Sequence, residues 1–94
     1  MKLEIPYKNV TNKEDAFKKL QGLLHPDTFA QYGLKCDVNS NENSCRADAS
    51  GKGFDVDLEC LDDKAVFKIS LSFMLKPFKN KILDTIERKA KSLL

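Results

Sequence analysis

Long apolar runs are missing from this 94-residue chain. Nothing approaches the ~20 consecutive apolar residues that a membrane-spanning helix needs, and Met1-Lys2-Leu3-Glu4 lacks the hydrophobic stretch of a signal peptide. The expected setting is cytoplasmic. Histidine is nearly absent too: His25 stands alone beside Pro26, and reads as a capping or merely exposed side chain at a helix end. There is no HxxxH or HExxH pair, no GxSxG and no P-loop. Cysteine is scarce and odd in number, and Cys36, Cys45 and Cys60 form no CxxC pair. That argues against a disulfide framework and against a zinc site. All three fall on expected inward strand positions, where a free thiol serves as a small hydrophobe. No repeat, linker or low-complexity segment divides the chain, so residues 1–94 are read as one domain around one core.

What the chain does have is alternation. Over residues 53–75, Phe54, Val56, Leu58 and Cys60 interleave with Asp55, Asp57 and Glu59. Phe67, Ile69, Leu71, Phe73 and Leu75 then interleave with Lys68, Ser70 and Ser72. A strand sends successive side chains to opposite faces, so this stretch predicts a hairpin with one buried and one wet face. Closing its turn on Asp62-Asp63 sets Leu58 against Phe67, Val56 against Ile69 and Phe54 against Leu71. A second turn on Gly51-Lys52 sets Ala47 against Val56 and Cys45 against Leu58. The wet face then carries Arg46 opposite Asp57 and Asp57 opposite Lys68. Matching strands two and three adds Asp37 with Arg46 and Lys35 with Asp48.

The remaining elements follow from local signals. Residues 2–7 read as a first strand with Leu3, Ile5 and Tyr7 inward, and Pro6 suits a sheet edge. Thr11 and Glu14 have the spacing of a capping box, and Ala16, Phe17, Leu20, Leu23 and Leu24 recur at helical intervals. They predict an amphipathic helix over residues 12–24, closed by His25-Pro26-Asp27. A turn or fragment of helix is expected over residues 28–32, followed by strand two with Leu34, Cys36 and Val38 inward. Asn39-Ser40-Asn41-Glu42-Asn43 is loop chemistry, and strand three has Cys45, Ala47 and Ala49 inward. Pro77 suits the first position of the last helix, whose buried stripe is Phe78, Ile82, Leu83, Ile86, Ala90, Leu93 and Leu94. The order β-α-β-β-β-β-α predicts an α+β two-layer sandwich, a mainly antiparallel sheet with two helices packed on one face.

A net charge of +2 conceals an uneven distribution. Residues 26–75 carry five basic and nine acidic side chains, and residues 76–94 carry six and two. The sheet is therefore expected to be acidic and the last helix basic. Asp55, Asp57 and Glu59 share one face about 7 Å apart. On an open face with bases opposite, they read as a solvated, charge-paired row rather than a catalytic pair or metal site. The basic residues Lys76, Lys79, Lys81, Arg88, Lys89 and Lys91 are interrupted by the pairs Asp84–Arg88 and Glu87–Lys91. No aromatic residue is interleaved for base stacking, which weighs against nucleic acid. More informative is an apolar surplus: Phe17, Phe29, Phe54, Phe67, Phe73, Met74 and Phe78 are many large groups for so small a core. At the strand-to-helix junction, Phe73, Met74, Leu75 and Phe78 are open to either a core role or a surface patch.

In this linear order the chain resembles the polyhydroxyalkanoic acid system proteins, a polyhydroxyalkanoate granule-region family. The likeness runs through Leu3-Glu4-Ile5, residues 13–16, Tyr32-Gly33-Leu34, the hairpin Gly51-Lys52-Gly53-Phe54, the junction over residues 67–79, and Ile82 with Ile86. Its most distinctive parts are Tyr32-Gly33 and Leu75-Lys76-Pro77-Phe78-Lys79. The chain departs from the family pattern at Tyr7-Lys8-Asn9, where a basic residue and a histidine are usual, and in a missing second-strand tryptophan. The resemblance implies a bacterial cytoplasmic protein, associated with polyester granules or their genes and without catalytic activity. The leading expectation is a non-enzymatic accessory protein that binds a granule surface or a granule-associated protein through Phe73, Met74, Leu75, Phe78 and Lys79. The alternatives are an acyl carrier with its site between the sheet and the last helix, and a nucleic-acid or regulatory binding module. No cofactor and no metal is expected.

Overall fold

An apolar strand face must lie against something, and the chain meets that need with a single sheet. The computed structural model describes residues 2–25, 30 and 35–94. Among these, β1 (Lys2–Pro6), β2 (Cys36–Asn41), β3 (Arg46–Gly51), β4 (Phe54–Cys60) and β5 (Lys64–Leu71) form one antiparallel sheet. Its strand order is β1-β5-β4-β3-β2. Helices α1 (Lys13–Leu20) and α2 (Lys79–Leu93), with a 3-10 helix at Phe73–Phe78, complete the expected order β-α-β-β-β-β-α. β1 is an edge strand, where Pro6 is tolerated.

One buried cluster joins Ile5, Ala49, Val56, Leu58, Phe67 and Ile69 of the sheet to Ala16, Phe17 and Leu20 of α1 and Ile82, Ile86 and Ala90 of α2. The backbone carbonyl of Leu94 accepts from the amides of Lys8 and Asn9, tying the end of α2 to the loop after β1. On the opposite face Asp55 and Asp57 are exposed and Glu59 is half-buried. Val66 is the apolar exception there, buried in register between Glu4 and Glu59.

The β4–β5 hairpin closes on Asp62-Asp63 with every expected partner in place. The β3–β4 hairpin does not close where expected. Its turn is Lys52-Gly53 rather than Gly51-Lys52, so Gly51 pairs with Phe54, Ala47 with Leu58 and Ala49 with Val56. Gly53 has φ +92, a backbone region that a residue without Cβ enters at little cost. The displacement is two residues, so each side chain keeps its face and changes its partner. Arg46 meets Glu59, with Nε donating to Oε2 at 2.8 Å, and Asp57 stands between Asp48 and Lys68.

Three further boundaries differ from the sequence reading. In β2–β3, Asn39 faces Asp48 and Asn41 faces Arg46, replacing the expected Lys35–Asp48 and Asp37–Arg46 pairs. Asn39, Ser40 and Asn41 belong to the strand because the turn comes later. Asn41 Oδ1 accepts from the amides of Asn43 and Ser44 at 3.1 and 3.3 Å. The N-cap of α1 is Asn12, not Thr11: its backbone is extended and its Oδ1 accepts from the Asp15 amide at 2.8 Å. Asparagine caps at least as well as threonine, so the capping box yields to it. α1 ends at Leu20, although Leu23 and Leu24 stay buried in the turns beyond it. The expectations for Pro26, Asp27, residues 28–29 and 31–32, Leu34 and the Tyr32-Gly33-Leu34 motif lie outside the described residues.

Gly53→Ala is expected to cost about 1–2 kcal/mol for a left-handed residue, with the new Cβ only 2.7 Å from Ser72 Oγ. Gly22→Ala, which meets open space, should be neutral or stabilising by roughly 0.4–1 kcal/mol. Urea unfolding compares the two; equal midpoints would contradict the assigned turn.

Candidate functional site

A strand pattern cannot continue past the end of its partner. β4 begins at Phe54, and the Ser72 amide donates to the Gly53 carbonyl at 2.7 Å, closing the hairpin. Beyond Ser72, β4 offers no further residue, so Phe73 and Leu75 leave the sheet although they continue the alternation. The Leu75 amide donates to the Ser72 carbonyl at 3.0 Å, and Phe73–Phe78 wind into the 3-10 helix. Pro77 lies inside that helix; without an amide hydrogen it cannot serve an α-helical turn through this segment. α2 starts at Lys79, two residues later than expected, with Phe78 in the N-cap position.

This exit decides exposure. Phe73, Met74 and Phe78 are 82%, 80% and 41% exposed, and they are the large exposed hydrophobics among the described residues. Phe78 was expected in the buried stripe of the last helix; standing ahead of α2, it falls outside that stripe. Leu75 turns the other way and packs, partly buried, against the core. Lys76 Nζ lies 5.3 Å from the centroid of the Phe73 ring, a cation–π contact worth roughly 0.5–1 kcal/mol at an exposed site. Lys79 is exposed at the rim. Of the five residues expected to form the surface, Phe73, Met74, Phe78 and Lys79 are exposed, and Leu75 is partly buried against the core.

The topology adds residues that spacing in sequence does not connect. Lys52 sits in the turn whose Gly53 holds Ser72, and Lys35 precedes the Cys36 that pairs with Gly51. Both are exposed, and both lie at the end of the sheet where β5 gives way to Lys76, Lys79 and Lys81. Among the described residues, the nearest carboxylates on these elements, Asp37, Asp55 and Asp84, stand further in along β2, β4 and α2.

Other candidate groups do not converge. No set of three or more His, Cys, Asp and Glu side chains among the described residues is arranged to hold a metal. Asp55, Asp57 and Glu59 remain on the open face, with Glu59 engaged by Arg46. Cys36, Cys45 and Cys60 are free thiols. Cys45 and Cys60 face one another beyond the β3–β4 ladder, where the Cys60 amide donates to the Cys45 carbonyl at 3.0 Å. Tyr7 packs beside them, its hydroxyl donating to the Leu61 carbonyl at 2.6 Å. Burial pushes the Cys60 thiol up to about 11, and burial followed by the nearby thiols pushes the Tyr7 phenol up as well. A thiol held protonated is a poor nucleophile, so these side chains act as core.

A family model described as "Putative polyhydroxyalkanoic acid system protein" matches residues 11–94. No curated protein and no solved structure matches the chain.

The buried thiol generates a pH prediction. Cys60 titrates near 9.0 in an unperturbed chain and at about 11 when folded. Its contribution to stability is whole below the lower value and is lost as pH rises through the upper one. Urea midpoints should fall over that window in the native sequence and fall less steeply in Cys60→Ala. Identical slopes would contradict the enclosure of the thiol.

Proposed function

Because the chain belongs to the polyhydroxyalkanoic acid system protein family, we propose that it is a non-enzymatic accessory protein of polyhydroxyalkanoate metabolism. It attaches to a storage granule, or to a protein on the granule, through Phe73, Met74 and Phe78. The observation that carries this reading is where exposure falls: the large exposed hydrophobics are gathered on one short 3-10 helix. Removing Phe73 and Met74 from water would contribute roughly 3–6 kcal/mol on a surface that accepts them. Neither belongs to the core cluster, so contact would leave the packing undisturbed. Leu75 holds the segment to the domain, and Lys79 contributes at the rim.

Attachment in this reading is peripheral and cytoplasmic. No helix among the described residues is long and apolar enough to cross a membrane, and the cysteines are free. The acyl-carrier alternative has less to rest on. Ile82, Ile86 and Ala90 of α2 lie in one buried cluster with Phe67 and Ile69, filling the layer that such a ligand would occupy.

Purified protein should co-sediment with amorphous polyester particles at low and high salt. The double variant Phe73→Ser/Met74→Ser should bind at least ~100-fold more weakly, with its circular dichroism and urea midpoint preserved. Particle binding untouched by both substitutions would refute the assignment.

A further inference from the structure

We infer that the surface this protein docks on is anionic and lipid-like: the sheet end carrying Phe73, Met74 and Phe78 seats on a layer of negatively charged amphiphiles. The inference rests on the contact assigned above and names the chemistry of its other side.

Charge on the segment that carries the apolar tip is of one sign: residues 72–83 contain Lys76, Lys79 and Lys81 and no acidic residue. The fold brings Lys35 and Lys52 to the same end as Lys76, Lys79 and Lys81. Among the described residues, ion pairs engage Lys2, Lys64, Arg46 and Lys91, and none takes in Lys52, Lys76, Lys79 or Lys81.

The start of α2 points the same way. A helix N-terminus carries the positive end of the macrodipole and favours acidic side chains in its first turn. α2 has none there and no side-chain cap; Lys79 and Lys81 stand in that turn instead. A local rule broken with no compensating contact inside the fold is a mark of a functional position. The compensation comes from negative charge on the partner.

The two halves of the site select the occupant together. A neutral polymer would accept Phe73 and Met74 and leave the lysines unused. A polyanion without an apolar phase would engage the lysines and leave Phe73 and Met74 in water. A charged amphiphile layer satisfies both, with apolar side chains at the acyl boundary and ammonium groups among the headgroups. Each lysine held near such a layer raises affinity roughly fivefold, so Lys76, Lys79 and Lys81 together contribute about 100-fold.

Flotation of the full chain with vesicles tests this. Phosphatidylcholine vesicles are compared with vesicles of equal parts phosphatidylcholine and phosphatidylglycerol, at low and high salt. Binding to the anionic vesicles should be about 100-fold tighter and should weaken as salt screens the lysines. Lys76→Gln/Lys79→Gln/Lys81→Gln should remove that preference with circular dichroism and urea midpoint preserved. Equal binding to both vesicle types, or a preference that survives the triple substitution, overturns the inference. So does binding of a single-stranded oligonucleotide in place of the vesicles. If Phe73→Ser/Met74→Ser weakens polyester binding but the vesicles are not distinguished, this inference fails and the assigned contact stands. If that double variant changes neither, the assigned contact fails first.

Discussion

Gly53 takes a left-handed backbone at φ +92, and that conformation fixes the β3–β4 turn on Lys52-Gly53, leaving Phe54 as the first residue of β4. The end of β4 then sets the length of β5, whose pairing stops with Phe54 opposite Leu71. Everything after Ser72 must find a place outside the sheet. The apolar residues that continue the β5 pattern therefore divide: Leu75 turns back to the core, and Phe73 and Met74 turn to water. The α-helix begins only at Lys79, which keeps Phe78 with the exposed group. Fold and candidate site thus have one cause, a turn placed one residue later than expected, which shifts the pairing by two and keeps every side chain on its face.

That shift of two shows what could be read in the sequence and what could not. Alternation specifies which face a side chain occupies, and a one-residue slip would have exposed Phe54, Val56 and Leu58. A two-residue slip keeps every face and is invisible to the pattern. The β4–β5 register was legible because Asp62-Asp63 leaves little choice of turn. The β3–β4 register was not, because Gly51-Lys52 and Lys52-Gly53 are both acceptable two-residue turns. The ion pair of Arg46 with Glu59 favours the second over the first, and charge matching to Asp57 missed it. Similarly, Asn12 and Thr11 both cap well, and Asn41 serves as strand residue and turn acceptor at once.

The candidate surface was legible in its apolar members and not in its cations. Phe73, Met74 and Phe78 are neighbours in sequence, and the junction marked them out. Lys35 and Lys52 lie far from them along the chain, and only the antiparallel order β5-β4-β3-β2 brings them to the same end. Against the acidic and paired residues of the open sheet face, that end combines exposed aromatic surface with cations that no carboxylate engages among the described residues. The division is physical: the sheet and helices hold a core, and the segment that cannot join either leaves Phe73 and Met74 in water.

The central claim is that the junction side chains stand in water until an outside surface takes them in. The chain contains no tryptophan, so Phe73→Trp supplies a single reporter. In the free protein its emission should be that of a solvated indole and open to collisional quencher, shifting to shorter wavelength and becoming shielded when anionic vesicles are added. Short-wavelength, shielded emission in the free protein would contradict the account, because it would put position 73 inside the core.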